Sequence, residues 1–214
     1  PQTVSTALSS GWMWNIPLTS RIGNGYVYSS DFCSPDAAEF ELRRQLHLQD
    51  ADVEAGHLKM KVGRVEQHWS KNCLAVGLSQ GFIEPLEATA LHLVQETILA
   101  FAEAYEQGGN SDQQQGSFNA VINRRFEAVR DYIVCHYRVN SRNDSDYWRA
   151  NSTNNYLSES LRALLETWMA GGNLTQEIER QAIGGYYPSA SWHCLLAGYG
   201  IFPEQAQLRP GNQQ

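Results

Sequence analysis

The hydrophobic period of the sequence changes near residue 84, and this change limits the folds that the chain can adopt. Before it, large side chains recur at every second position, as at Trp12, Trp14 and Ile16, which is the period of a β-strand. After it, the spacing is helical, and helices are predicted over roughly 86–105, 117–138 and 157–170. The chain is therefore predicted to be α/β, beginning with sheet and ending with helices.

Shorter patterns predict the local structure. Gly23–Gly25 predicts a turn between two strands, and Ser34-Pro35 predicts a helix that ends near His47. The stretches 58–62 and 74–78 are predicted to be strands, the second of them buried. Gly171 and Gly172 are expected to end the third long helix. A two-stranded ribbon is marginal by itself, so we expect the sheet to be part of a larger fold.

Composition excludes several classes of function. The net charge of -7 over 214 residues gives no electrostatic footprint for nucleic acid, and no apolar run approaches the length of a membrane span. The histidines lack the spacing of metal ligands, so no metal site is predicted. The cysteines are widely spaced, and we expect a cytoplasmic protein with four reduced, mostly buried thiols; they are Cys33, Cys73, Cys135 and Cys194.

The segment from Gly77 to Leu91 is the densest candidate for chemistry. A glycine-containing turn leads into a predicted helix start, where free N–H groups and the helix dipole attract an anion. Glycine also lets the backbone approach a bound ring system. Glu84 and Glu87 lie three residues apart and partly share a face. The alternative is that both carboxylates only complement the helix dipole, for about 0.3–1 kcal/mol.

Two aromatic segments could line a flat pocket, although both could equally belong to the core. The first is Trp12–Pro17, in which both indoles are predicted to lie on one face of a strand. The second is Tyr186-Tyr187-Pro188, followed by Trp192.

Taken together, these segments resemble the flavin-dependent tryptophan halogenase family. The hallmark WxWxIP is matched by Trp12, Trp14, Ile16 and Pro17, and the later GLS and EPLE segments follow in the family's order. The resemblance implies the C-terminal part of an FAD-dependent monooxygenase-like fold. Residues 1–91 would end the flavin- and halide-binding domain, and residues 92–214 would form a helical region on the substrate side.

The resemblance also implies roles for single residues. Glu87 falls on the catalytic glutamate, and the backbone amides of Thr89 and Ala90 fall on the pair that holds the halide. The family usually has glycine at the second position, so the methyl group of Ala90 is a departure that narrows the halide pocket. Leu78 and Leu91 fall on flavin-contacting positions.

By the same resemblance, the whole enzyme would install chlorine or bromine on an electron-rich aromatic ring, with an indole favoured. It would use oxygen, chloride or bromide, and reduced FAD supplied by a separate flavin reductase; a homodimer is left open. The family's GxGxxG fingerprint and essential lysine lie upstream of WxWxIP and are not in this sequence, so we expect the 214 residues to be inactive alone.

The resemblance favours a simple indole, a larger indole metabolite or a carrier-bound substrate over free tryptophan. Thr175, Gln176 and Ala182 stand where relatives that act on tryptophan have a tyrosine pair and a glutamate for its amino and carboxyl groups. Tyr186 and Tyr187 are expected to line the pocket instead.

Two other functions stay open at this point. A flavin-dependent aromatic hydroxylase is favoured slightly by Ala90 and disfavoured by WxWxIP. A non-catalytic helical binding module would show a large exposed apolar patch on its helices.

Overall fold

The computed structural model describes residues 2–84, 86–87 and 89–203. It has short sheets followed by a mainly helical region, which confirms the mixed α/β class. The chain forms two compact units: residues up to Lys59 with Asn140–Asn154, and Met60–Val139 with the residues from Asn155 on. This division groups residues that lie close together in space. The functional division expected between residues 91 and 92 stays a prediction.

The first unit contains a three-stranded antiparallel sheet in the order β1-β2-β3. The strands are Val4–Leu8 (β1), Gly11–Pro17 (β2) and Ile22–Tyr28 (β3). Gly11 is required where β2 begins, because a Cβ there would lie 2.0 Å from the carbonyl oxygen of Val27. Helices α1 (Pro35–Gln45) and α4 (Asp146–Ser152) complete the unit.

Helix α4 is fixed to the sheet by hydrogen bonds to the end of β1. Trp148, which is 1% exposed, donates its indole N–H to the carbonyl oxygen of Leu8 at 2.7 Å. Ser145 donates its hydroxyl to the carbonyl oxygen of Ser9 at 2.6 Å. Ser145 is the N-cap of α4, and its side chain also accepts a hydrogen bond from the N–H of Trp148 in the first turn. The first turn of α4 is therefore attached to the chain at the end of β1.

The second unit begins with two short antiparallel pairs and a 3-10 helix. Gly63–Arg64 (β4) pairs with Gly81–Phe82 (β7), and Trp69–Ser70 (β5) pairs with Cys73–Leu74 (β6). The 3-10 helix spans Gly77–Ser79.

Five helices follow: Thr89–Gln107 (α2), Gln115–Arg138 (α3), Glu159–Met169 (α5), Leu174–Arg180 (α6) and Ser189–Gly198 (α7). The buried side chains of α3, α5, α6 and α7, together with Val139 directly after α3, form a continuous core, which comprises Tyr132, Cys135, Val139, Leu161, Leu164, Leu174, Ile178, Trp192, Leu195 and Leu196. None of the described helices is both long enough and apolar enough to cross a membrane.

The predicted end of the third long helix is confirmed. Helix α5 stops at Met169, and Gly171 takes a φ of 70°. The N–H of Gly172 then reaches back to the carbonyl oxygen of Thr167 at 2.8 Å. This is the glycine termination that satisfies the last helical carbonyl groups.

Several local predictions were wrong. Gly23–Gly25 lies inside β3 rather than in a turn, because it pairs with residues 14–16 of β2; the chain reverses at Leu18–Arg21 instead. Residues 58–62 form no strand. The predicted strand 74–78 gives way after Leu74 to the 3-10 helix, because Gly77 adopts a φ of 60° that no strand allows.

The cysteines are free, as expected, but they are not mostly buried. Only Cys135 is buried, whereas Cys33 is partly exposed and Cys73 and Cys194 are exposed. The wide spacing of the cysteines therefore predicted that they would be free, but it did not predict how deeply each one is buried.

Candidate active site

Glu87 lies in the short connection between β7 and α2 and has an uncommon backbone conformation. Its φ is 76°, in the left-handed region where a residue with a Cβ is strained. The preceding Leu86 is 8% exposed and anchors this connection in the unit. The backbone therefore turns sharply at Glu87, two residues before helix α2 begins.

The Glu87 carboxylate faces a histidine of α3. Its Oε1 atom is 3.2 Å from Nε2 of His136, and the two side chains are 41% and 13% exposed. Burial raises the pKa of Glu87 and lowers the pKa of His136 to about 4, so the imidazole is neutral near pH 7. On its other side, His136 Nδ1 is 3.4 Å from the hydroxyl oxygen of Tyr199.

Aromatic rings surround this pair. Tyr132 and Tyr187 are stacked, with ring centroids 3.7 Å apart and planes 10° apart, and Trp192 meets Tyr132 edge to face at 4.9 Å. Burial, and after it the charge of Glu87, raises the pKa of Tyr132 to about 12 and raises the pKa of Tyr187 as well. The tyrosines are therefore neutral, and the partly exposed Glu87 carboxylate lies beside aromatic rings.

Three polar atoms of this cluster are buried without a well-aligned hydrogen bond within the described residues: His136 Nε2, Tyr187 Oη and Trp192 Nε1. The 3.2 Å contact of His136 with Glu87 has a suitable distance but an unfavourable direction. Buried polar groups are nearly always satisfied in a working protein. Their concentration beside Glu87 indicates a place where a bound molecule, or a small rotation of these side chains, completes the hydrogen bonds.

Glu84 differs from Glu87, although both belong to the EPLE segment. Burial raises the pKa of Glu84, and a hydrogen bond from Tyr137 lowers it. Glu84 is thus held by a phenol, whereas Glu87 is directed at a neutral imidazole. Both carboxylates precede α2, so the dipole interpretation remains physically sound for their location but leaves the aromatic cluster unexplained.

Thr89 and Ala90 are the first two residues of α2. Their N–H groups lie at the helix end where no intrahelical acceptor exists, which suits a chloride or bromide ion. Thr89 is buried and Ala90 is exposed. The predicted halide amides therefore stand two and three residues beyond Glu87.

The two positions predicted to contact the flavin are exposed leucines. Leu78 is 75% exposed and Leu91 is 81% exposed. The 3-10 helix that carries Leu78 packs on α2, because a Cβ on Gly77 would lie 3.8 Å from Val94. The two leucines thus belong to adjoining elements and leave apolar surface for a cofactor ring to cover.

Tyr186 and Tyr187 lie in different environments. Tyr187 joins the Glu87 cluster, whereas Tyr186 accepts a 2.7 Å hydrogen bond from Arg125, which also pairs with Glu96 at 3.0 Å. No described contact joins Tyr186 to Glu87. Only Tyr187 has a direct relation to the candidate site.

The WxWxIP segment occupies β2 of the first unit. Met13 is 4% exposed and faces the core, while Trp12 and Trp14 are partly exposed on the opposite face, as predicted. The Trp12 ring meets Trp148 edge to face at 5.8 Å. Ile16 is 40% exposed, and Pro17 ends the strand.

The site contains residues that the sequence patterns missed. The sequence patterns predicted no functional role for Tyr132, His136 or Tyr199. The spacing of Tyr132 and His136, four residues apart on one helix, places both on the same face and could have indicated the cluster. Within the described ranges no group of three or more potential ligands could hold a metal ion.

Comparisons with known proteins identify the family of this chain. A tryptophan halogenase family model matches residues 1–211. The tryptophan 6-halogenase of Streptomyces toxytricini is 37% identical over 94% of this chain and 38% of its own length. The 7-chloro-L-tryptophan 6-halogenase of Kutzneria sp. is 36% identical over 97% of this chain and 40% of its own length.

Solved structures give the same result. The crystal structure of the S. toxytricini enzyme has a TM-score of 0.80 at 35% identity and covers 99% of this chain. A flavin-dependent halogenase from Brevundimonas sp. has a TM-score of 0.78 at 34% identity and covers 94%. This chain spans 42% and 40% of those two proteins. Since the family model covers nearly every residue, the chain belongs to the tryptophan halogenase family.

Proposed function

We propose that this chain is the C-terminal part of a flavin-dependent halogenase that installs chlorine or bromine on an electron-rich aromatic ring, with an indole favoured. The observation that carries the proposal is the Glu87 carboxylate, which lies among aromatic rings just before the helix start at Thr89. A carboxylate beside aromatic side chains and a helix end suited to a halide ion are two features that electrophilic halogenation of a ring would use.

Glu87 acts on the ring in two ways. When the ring takes up the electrophilic halogen, it becomes a cation, and the nearby carboxylate stabilises that charge. The ring proton then passes to an oxygen of Glu87, and aromaticity returns. General-base catalysis of this kind contributes typically about 10²–10⁴-fold.

Thr89 and Ala90 would hold the halide through their backbone N–H groups, and Leu78 and Leu91 would contact the flavin. Reduced FAD, delivered by a separate flavin reductase, supplies the electrons with which oxygen converts halide to hypohalous acid. Trp12 and Trp14 keep the oxidising chemistry away from the organic substrate. These roles rest on the positions of the residues in the family motifs and on the exposure and helix position described above.

The pocket favours an indole without a free amino acid group. Tyr187 and its neighbours present rings and neutral donors beside Glu87. Gln176 lies in the first turn of α6, where its N–H bonds to the cap residue Asn173, and it offers no charge for a zwitterion. We infer the halogenation chemistry from the relatives named for tryptophan. We expect this chain to differ from them in how it holds the side chain of the substrate.

The proposal is tested with the full-length protein that carries this sequence, a flavin reductase, FAD, oxygen and indole. Product mass is compared with and without bromide. We expect bromoindole only when bromide is present, and faster turnover of indole than of tryptophan. A hydroxylated product that forms equally in both conditions would identify a hydroxylase and overturn the proposal.

A further inference from the structure

A chain of three side chains ends at the proposed catalytic carboxylate. Tyr199 Oη is 3.4 Å from Nδ1 of His136, and Nε2 of His136 is 3.2 Å from Oε1 of Glu87. Tyr199 follows α7, whereas His136 lies near the end of α3. Two separate elements of the second unit thus cooperate to place one imidazole against Glu87.

The surroundings of Glu87 otherwise disfavour its charge. Desolvation raises its pKa, and the described phenols that its charge affects are those of Tyr132, Tyr187 and Tyr199. His136 of α3 also faces Glu87. The thiols of Cys135 and Cys194 act on Tyr132, and the Arg138 cation acts on Cys135. Glu84, on the same segment as Glu87, is bonded to Tyr137. An N–H donor is therefore the means by which the carboxylate can stay ionised.

We propose that His136, oriented by Tyr199, is a positioning residue that donates its Nε2–H to Glu87 and holds this carboxylate ionised and directed at the substrate ring. The inference rests on the catalytic role proposed for Glu87. It adds a neutral hydrogen-bond donor that no family motif quoted above contains.

The hydrogen bonds of the neutral imidazole fix its tautomer. If the Tyr199 hydroxyl donates to Nδ1, the single ring proton is on Nε2, which faces Glu87. In this structure Nε2 has no well-aligned hydrogen bond. A small rotation of either side chain aligns the 3.2 Å contact, so the donor needs no larger rearrangement.

The proposal makes a signed prediction about pH. A donor to the carboxylate lowers the pKa of Glu87, and its removal raises that pKa. Halogenation needs the ionised form, so activity is lost as pH falls through the pKa of Glu87. In His136→Phe the acidic limb of kcat/KM should therefore move to higher pH, by about one unit for a lost bond to a charged group.

The experiment compares pH profiles of the full-length enzyme and four variants. His136→Gln retains an N–H donor and should restore most of the wild-type profile, whereas Tyr199→Phe should shift the limb in the same direction but less. His193→Phe is the matched control, because His193 bonds to the carbonyl oxygen of Ser189 at 2.8 Å; its limb should not move. An unshifted limb in His136→Phe, or an equal shift in His136→Gln, would overturn the proposal.

A second readout does not depend on turnover. The pKa of Glu87 is measured by ¹³C NMR of glutamate-labelled protein, with Glu87→Gln to assign the resonance. If the wild-type enzyme makes no halogenated product, the proposed function fails. If Glu87 titrates at the same pH in wild type and His136→Phe, the positioning role fails. Should His136→Phe not fold, Tyr199→Phe retains the ring and carries both measurements.

Discussion

The replacement Glu87→Gln isolates the charge of the proposed catalytic residue. Glutamine has nearly the same shape and adopts the same backbone conformation, so the φ of 76° at this position places the same strain on both proteins. The amide can still meet His136 across the 3.2 Å contact. What disappears is the negative charge and the ability to accept a ring proton.

The size of the effect follows from the environment of the carboxylate. A unit charge about 4 Å from a cationic ring gains about 4 kcal/mol at an effective dielectric constant of about 20. Each 1.36 kcal/mol is tenfold in rate, so this interaction corresponds to roughly 10³-fold. The Glu87 side chain is 41% exposed, and water screens part of this gain. We therefore expect halogenation to fall by roughly 10²-fold or more.

Two assays separate ring chemistry from halide oxidation. Bromoindole formation, followed by mass spectrometry in the full-length enzyme, should show the loss. Trapping of hypohalous acid by monochlorodimedone should persist, because the Thr89 and Ala90 amides belong to the backbone and are untouched. The matched control is Glu84→Gln, which changes the other carboxylate of the segment, held by Tyr137, and should keep most of the activity.

The results that would refute this reasoning are distinct. Bromoindole formation at the wild-type rate in Glu87→Gln would mean that Glu87 only complements the dipole of α2. Loss of the trap reaction together with bromoindole would place Glu87 in the halide or flavin site instead. Equal losses in Glu84→Gln and Glu87→Gln would show that the segment responds as a unit.

Three further predictions concern other parts of the chain. The 214 residues expressed alone, with reduced flavin, bromide and indole, should give no bromoindole by mass; robust product would show that the upstream portion is dispensable. In the full-length enzyme, replacing Trp12 and Trp14 together by Phe should leave the protein folded and release hydroxylated product, and unchanged halogenation without that product would count against their proposed role. Leu161→Ala removes a core side chain that is 0% exposed and should lower the free energy of unfolding by about 2–5 kcal/mol in urea titrations; a change below about 1 kcal/mol would contradict close packing there.

Much of the helical architecture could be predicted from the sequence because its signals are local. The long apolar periods gave α2, α3 and α5 within a few residues, and Gly171 marked the end of α5. The three short helices α4, α6 and α7 were missed. Each has ten residues or fewer, too few turns for a period to show.

The sheets were predicted less well because strand pairing is not a local property. Strand β1 pairs with β2 along its full length, but its sequence alone carries no clear alternation. Gly23–Gly25 has turn chemistry and still extends, since Asn24 pairs with Asn15 and their side chains share a 2.7 Å hydrogen bond. Tertiary partners therefore overrode local preference.

The residues of the candidate site also differ in whether local sequence or only tertiary contacts reveal them. Glu87 and Tyr187 could be predicted because they lie in recognisable segments. The spacing of Tyr132 and His136 could have placed those two residues on one helix face. The contact of His136 with Tyr199 could not be predicted, because the two are 63 residues apart and meet only when α3 and the end of α7 pack together. Burial among aromatic rings, which gives His136 its lowered pKa, is also a property of the folded unit alone.

The two glutamates of the EPLE segment show how the fold separates residues that the sequence treats alike. Both have a pKa raised by burial, so burial does not distinguish them. Glu84 already accepts a hydrogen bond from Tyr137, which binds it into the structure. Glu87 instead stands on a strained turn, beside three buried polar atoms that have no aligned partner within the described residues. Strain and unsatisfied polar groups are retained where a ligand completes them, so we propose that Glu87, rather than Glu84, contacts the substrate.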